Sequence, residues 1–205
     1  MTDDNSQGTA RIEAFSDGVI AIIITIIVLE IHVPKAPTSA ALFKLWPTLL
    51  AYALSFTYIA IYWVNHHYLL HRAKRFSVGL HWSNVLLLFF LSLVPLSTAW
   101  LDAFPLARVP TATYLVTLML PAAAYMWLAH EVFTLAGPDT TSPEHVRAER
   151  VKQLLSVLLY ASGVGLAFYH PTLSLACAII VSIIWFIPDG PIDRLLTRRV
   201  NALHK

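Results

Sequence analysis

The sequence predicts an all-α membrane protein with six transmembrane helices. Its composition is 57% hydrophobic and only 13% charged, whereas an average soluble domain carries about 25% charged residues. Six stretches are long and apolar enough to cross a bilayer, and short connectors containing Pro, Gly or charged residues separate them. No connector is long enough to separate two folding units, so we expect a single membrane domain over residues 1–205.

Each predicted span approaches or exceeds the roughly 20 apolar residues that a helix needs to cross the hydrocarbon core. The fifth is the weakest, because it is short and interrupted by Gly163 and Gly165. Ser142, Pro143 and Glu144 form a typical helix N-terminus ahead of it, and charged residues follow, so helix five should begin outside the membrane. The predicted spans are 15–33, 46–70, 78–101, 111–135, 154–170 and 172–188.

The distribution of basic residues predicts the topology. Of the 14 Lys and Arg residues, all but Lys35, Lys44 and Arg108 fall on one side of the six predicted spans. Basic residues concentrate in cytoplasmic loops, so both termini are expected in the cytoplasm. An even number of spans places the two termini on the same side as well. We therefore expect a multi-pass protein of the cell membrane.

The first predicted helix is apolar between Asp17 and Glu30, apart from Thr25. A helix that is apolar all round is commonly a buried one. A second interpretation is that one face lines a symmetry axis, where bulky apolar rings form a constriction that gates by dewetting. Thr25 would then offer its hydroxyl to an ion, unless that hydroxyl only bonds its own helix. The positions that share this face by helical spacing are Ile22, Thr25, Ile26 and Leu29.

Polar residues near the cytoplasmic ends of the spans are candidates for contacts between helices. Asp17, Asn84 and one of the adjacent His66 and His67 lie at similar depths in the predicted topology. Ionisable groups at membrane depth are costly and are usually paired or functional. For Arg11 and Asp17 the alternative is an interfacial anchor, in which the carboxylate suits the N-terminal end of a helix dipole.

The sequence predicts no metal site, no cofactor and no enzyme. His67 and His71 are four residues apart and could together contact a zinc ion, but no third ligand stands beside them. The single cysteine, Cys177, cannot form an intrachain disulfide. Nucleotide-binding loops and the nucleophile elbow are absent, as are the TVGYG filter of ordinary potassium channels and an arginine-rich voltage sensor.

Arg11, Phe15, Ser16 and Asp17 form an R-x-x-x-F-S-D motif at the head of the first span. In that position the motif resembles the signature of the transmembrane protein 175 family of potassium channels. The stretches WVNHH and SNVLLLFFLSLVP are also similar to that family. The resemblance implies a homotetramer in the lipid bilayer, built from single six-helix chains of the prokaryotic type. Four first helices would line a central pore for potassium and other monovalent cations, with no cofactor besides the permeant ions.

The resemblance also implies roles for individual residues. Thr25 matches a hydroxyl layer that favours potassium in some members. A small rotation of the first helix would bring Ile23 or Ile24 to the axis in place of Ile22, because the three are consecutive. The implied constriction consists of Ile22, Ile26 and Leu29. The implied polar network between helices consists of Arg11, Phe15, Ser16, Asp17, His67 and Asn84.

Two other classes of function compete with a channel. The first is a secondary transporter or proton-coupled carrier that uses Asp17, Glu30 and the membrane histidines as a relay. It predicts saturable flux with fixed coupling, whereas a channel predicts flux far above carrier turnover. The second is a membrane-embedded enzyme or a structural scaffold. An enzyme would need converging acids, bases or metal ligands within the spans, and the sequence supplies too few.

Overall fold

The computed structural model describes residues 2–73, 75, 77–136 and 143–186, and it confirms an all-α fold. Four segments of this described part are long and apolar enough to cross a membrane, namely Gly8–Leu29, Trp46–Leu70, Val78–Ala103 and Arg108–Ala136. The helices are α1 (Thr2–Leu29), α2 (Ser39–Phe43), α3 (Trp46–Leu70), α4 (Val78–Leu91), α5 (Val94–Ala103), α6 (Arg108–Ala136), α7 (Pro143–Ala167) and α8 (Pro171–Phe186).

The four segments coincide with the first four predicted spans. The third is built from two helices, since α4 ends at Leu91 and α5 begins at Val94 with Pro95 in its first turn. Proline lacks the N–H that would continue the hydrogen-bond ladder of α4, so the chain restarts there as a new helix. Pro121 lies inside α6, which continues through it.

The last two helices, α7 and α8, correspond to predicted spans five and six. Helix α7 begins at Pro143 with Glu144 in its first turn, as expected, while Ser142 lies outside the described residues. Helix α8 has 16 residues in the described part, and the predicted end of span six at residue 188 lies outside it. Neither helix belongs to the four segments that meet the length and hydropathy requirement. The count of six spans therefore stays a prediction.

Helix α7 is not interrupted at Gly163 and Gly165, in contrast to the expectation from sequence. Gly163 lies at a close contact of α7 with α6 and α8. A Cβ at Gly163 would be 3.1 Å from Leu115 Cδ1 on α6 and 3.3 Å from Cys177 Cβ on α8. Ser174 Oγ of α8 donates a hydrogen bond to the Gly163 carbonyl at 2.7 Å in the same contact. Small residues commonly permit this close packing between membrane helices.

Helix α6 lies at the centre of the bundle, and α1 lies at its edge. In the most apolar part of α6, 61% of the residues are buried, against 28% in α1. Helix α6 packs against α4, α5, α7 and α8, whereas α1 packs against α3, α4 and α5. One long face of α1 is therefore left uncovered by the other helices of the described part of the chain.

Candidate functional site

Helix α1 has one buried face and one exposed face. Its buried residues recur at helical spacing and pack against the core, and they are Ile12, Ser16, Ile20, Ile23 and Ile27. On the opposite side, Ile22, Ile26 and Leu29 are 60%, 39% and 79% exposed, and Thr25 between them is exposed as well. We refer to Ile22, Thr25, Ile26 and Leu29 as the exposed α1 face. It combines the three bulky positions and the one hydroxyl that the sequence singled out.

The rotation of α1 distinguishes the three consecutive isoleucines. Ile23 is 3% exposed and lies in the core, and Ile24 is partly buried against that core. Only Ile22 presents most of its side chain away from the chain. The 100° step between neighbouring helical residues is the reason that one isoleucine points outward while the next points inward.

The hydroxyl of Thr25 bonds its own helix. Thr25 Oγ1 lies 2.9 Å from the carbonyl oxygen of Ile22 and 3.1 Å from that of Ala21. A hydroxyl has one proton and two lone pairs, so donation to these carbonyls leaves the lone pairs of Oγ1 able to face an ion. The alternative reading of Thr25 as a back-bonding helix residue is thus compatible with a second role for the same oxygen.

A buried polar network fixes α1 to α3 and α4. Asn84 Nδ2 donates to Ser16 Oγ at 2.9 Å, and Ser16 Oγ donates to the Ile12 carbonyl at 2.8 Å. His66 Nε2 lies 2.7 Å from Asn84 Oδ1. With the amide in this orientation, His66 carries its proton on Nε2 and donates it. Ser16, His66 and Asn84 are all at most 1% exposed, so the network sets the rotation of α1 from within the core.

Asp17 makes a separate contact between α1 and α3. Trp63 Nε1 donates a hydrogen bond to Asp17 Oδ1 at 2.9 Å. Arg11 is exposed and Phe15 is 61% exposed, so these two members of the motif lie outside the buried network within a single chain. Of the motif, therefore, Ser16 and Asp17 hold α1 to its neighbours, and Arg11 and Phe15 face away from the core.

The sequence left open whether His66 or His67 contacts Asn84, and the structure distinguishes the two. The histidine bonded to Asn84 is His66, and His67 instead contacts Glu13 of α1, with His67 Nδ1 at 2.5 Å from Glu13 Oε1. Neighbouring residues on a helix point about 100° apart, so only one of the two histidines can face Asn84. His67 does link α3 to α1, but through a carboxylate that the sequence analysis did not consider.

Comparison with known proteins matches the part of the chain that contains this geometry. The family model described as endosomal/lysosomal potassium channel TMEM175 matches residues 11–95, which contain the motif and the whole buried network. A potassium channel of Chryseobacterium sp. (strain P1-3) is 39% identical over 186 residues, covering 91% of this chain and 96% of that one. The chain belongs to the TMEM175 family.

Other TMEM175 relatives cover much or part of the chain. A potassium channel of Streptomyces collinus is 36% identical, covering 82% of this chain and 86% of that one. The crystal structure of a lysosomal potassium-selective channel TMEM175 homolog from Chamaesiphon minutus superposes with a TM-score of 0.74 at 33% identity, covering 86% of this chain and 95% of that one. The human endosomal/lysosomal proton channel TMEM175 is 31% identical over 146 residues, which are 61% of this chain and 29% of the human protein.

Membership of the TMEM175 family establishes the class of function. The protein is an integral, multi-pass membrane channel, and the family is not a class of enzymes. Its permeant ions are its substrates, and the family has no cofactor requirement.

Sequence reasoning found the motif but missed Glu13, and it set His71 aside together with His67 because no third ligand stands beside them. Glu13 lies inside the motif at a position that the motif leaves open. Both lie near the predicted cytoplasmic boundary, Glu13 early in α1 and His71 at the end of α3. The predicted topology places these two helix ends on the same side of the membrane, which was the available signal that they could meet.

Proposed function

We propose that this chain is a potassium-preferring cation channel in which four copies assemble about a pore lined by the exposed α1 face. The supporting observation is that α1 leaves this face uncovered while its opposite face is fixed by Ser16, His66 and Asn84. Other exposed surfaces of the described helices are also apolar, as at Leu158 and Ile183. Helix α1 differs because a buried polar network defines which of its residues point outward.

The constriction is formed by bulky apolar rings in successive layers. Ile22 and Leu29 are seven residues apart, or roughly 10 Å along the axis of a helix, with Ile26 between them. Four copies of each side chain around an axis would give a narrow apolar passage, and such passages gate by dewetting. The chain carries no TVGYG filter, so the constriction and Thr25 together would determine which ions pass.

Thr25 supplies the polar layer within this passage. Its hydroxyl is bonded to the backbone at 2.9 Å, which orients the oxygen and holds it in place. Four such oxygens around the axis would replace part of the hydration shell of a potassium ion, as carbonyl oxygens do in other channels.

In the membrane, we propose that α7 and α8 complete the predicted six spans and that the described helices and the remaining residues form one domain over residues 1–205. The excess of basic residues on one side supports cytoplasmic termini in the cell membrane. Arg147, Arg150 and Lys152 on the first turns of α7 then lie on the cytoplasmic side.

A proton-coupled carrier is less well supported by the geometry. Asp17 lies on α1 and Glu30 directly follows that helix, thirteen residues or about 20 Å along its axis, and no ionisable residue lies between them. Asp17 is bonded to Trp63 at 2.9 Å. A relay through these groups would need other ionisable side chains to bridge that distance.

The experiment that tests the channel is a recording from the purified protein in a planar bilayer with potassium on one side and sodium on the other. We expect unitary current steps whose reversal potential is shifted away from zero in the direction given by a higher permeability to potassium than to sodium. Slow, saturable uptake into liposomes without unitary steps would overturn the proposal. The number of chains in the particle, measured by native mass spectrometry of the same preparation, is expected to be four.

A further inference from the structure

Glu13, His67 and His71 form a compact cluster between α1 and α3. His67 Nδ1 lies 2.5 Å and His71 Nε2 lies 3.6 Å from the same oxygen, Glu13 Oε1. His67 lies in the last turn of α3 and His71 directly follows that helix. Their rings have centroids separated by 4.4 Å and planes at 86°. One ligand atom from each of the three residues lies within 4.8 Å of the other two.

We propose that Glu13, His67 and His71 bind one zinc-type divalent transition-metal ion per chain. Ligands at about 2.0–2.2 Å from a tetrahedral ion are about 3.3–3.6 Å from one another, so small side-chain movements bring the cluster to that geometry. Two imidazoles and one carboxylate are a known zinc ligand set, with water in the fourth position. Magnesium and calcium prefer all-oxygen surroundings, so this donor set disfavours them.

The surroundings of the cluster suit an exchangeable ion. The side chain of Glu13 is 19% exposed, while those of His67 and His71 are 47% and 62% exposed. The carboxylate is therefore held against α3, and the two imidazoles are open to solvent at the end of that helix. An ordinary ion pair between Glu13 and a protonated histidine is the competing explanation of these contacts, and it needs neither His71 nor a metal.

A metal at this position would join the beginning of α1 to the end of α3. The effect of this metal on conduction rests on the proposed function, because a link between α1 and α3 can change the current only if α1 lines the pore. Binding itself does not rest on the proposed function. An ion that binds the folded chain and not the unfolded chain also raises the melting temperature, which gives a readout that is independent of conduction.

The test uses the full chain in detergent, with any affinity tag removed and bound metal stripped by a chelator. Zn²⁺ binding is measured by equilibrium dialysis, and Co²⁺ is added separately to record its visible absorption. We expect one Zn²⁺ per chain and the strong absorption bands of a tetrahedral Co²⁺ site. Changing an outer-shell partner of a metal site costs about 10–100-fold in affinity. Loss of a ligand in His71→Ala or Glu13→Gln should therefore weaken binding by at least about 100-fold.

The control is His130→Ala, which removes an exposed histidine far along the chain on α6 and should leave binding unchanged. His71 is exposed, so His71→Ala should keep the metal-free melting temperature, which shows that the variant is folded. Equal Zn²⁺ affinity in the wild type and His71→Ala would overturn the proposal, as would no binding at millimolar Zn²⁺. Neither result depends on whether the protein conducts potassium.

Discussion

At the residue scale, the choice of the side chain that we propose narrows the pore depends on the rotation of α1 by one position. The three isoleucines at 22, 23 and 24 have the same apolar character, so the sequence alone cannot rank them. Their environments rank them clearly, because Ile22 is 60% exposed and Ile23 is 3% exposed. The choice between His66 and His67 has the same origin, since both were equally suitable partners for Asn84 until the rotation of α3 was known.

Ile22→Asn is expected to increase the basal current and weaken selectivity. An amide at the narrowest ring would hold water in the passage and lower the barrier to ions. A barrier lower by about 1.4 kcal/mol gives a tenfold larger current, and we expect an increase of at least about that size. Unitary current and reversal potential in a planar bilayer measure the effect. Ile22→Leu is the matched control, because it keeps the ring apolar, and a current unaffected by Ile22→Asn would remove Ile22 from the pore.

Thr25→Val is expected to lower the permeability of potassium relative to sodium. Valine has nearly the shape of threonine but no hydroxyl, so the change removes the proposed ion-facing oxygen with little change in packing. Thr25→Ser keeps that oxygen and should retain most of the selectivity. The reversal potential under potassium against sodium gives the permeability ratio. If the ratio is the same in wild type and Thr25→Val, the hydroxyl serves only its own helix.

At the element scale, the buried network and the close approach of α7 decide how the helices are arranged. The existence of most helices could be predicted, because runs of about 20 apolar residues leave few alternatives. Pro95 lies inside the predicted third span and indicates its division into α4 and α5. The exact residues at which α4 ends and α5 begins could not be predicted. The packing role of Gly163 could not be predicted, because it depends on which helices face α7.

Asn84→Ala is expected to destabilise the contact of α1 with α3 and α4. The change leaves His66 Nε2 buried without its partner and removes the Asn84 bond of Ser16 Oγ, which keeps only its bond to the Ile12 carbonyl. An unpaired buried polar group costs about 1–3 kcal/mol. A lower melting temperature in detergent is the expected observation. Ser92→Ala serves as the control, since Ser92 is exposed just after α4 and its Oγ donates to the Phe89 carbonyl, three residues earlier, at 2.7 Å. Equal melting temperatures for the two variants would contradict a structural role for the network.

Gly163→Val and Gly165→Val form a second matched pair. The first places side-chain atoms where even a Cβ would lie 3.1 Å from Leu115, whereas a Cβ at Gly165 meets no atom within 4 Å. Overpacking typically costs about 1–3 kcal/mol, so Gly163→Val should lower the melting temperature clearly more than Gly165→Val. Similar losses in both variants would show that the space around Gly163 is not limiting.

At the scale of the whole molecule, the proposed pore forms only when four copies of the chain assemble. Family membership and the membrane location could be predicted from the motif, the composition and the distribution of charge. The cluster of Glu13, His67 and His71 could not, because Glu13 is more than fifty positions from the two histidines and meets them only when α1 packs on α3. The uncovered face of α1 likewise became visible only when the packing of the other helices was known.

The most direct test of the pore assignment compares Ile22→Cys with Ile23→Cys, each in a Cys177→Ser background that removes the only native cysteine. Silver ions, which are small enough to follow potassium and bind thiolates tightly, are applied during bilayer recording. We expect Ag⁺ to block the Ile22→Cys current irreversibly and to leave the Ile23→Cys current intact, because in the proposed pore residue 22 faces the axis, whereas residue 23 is buried in the core. Block of Ile23→Cys alone, or of neither conducting variant, would contradict a pore lined by the exposed α1 face.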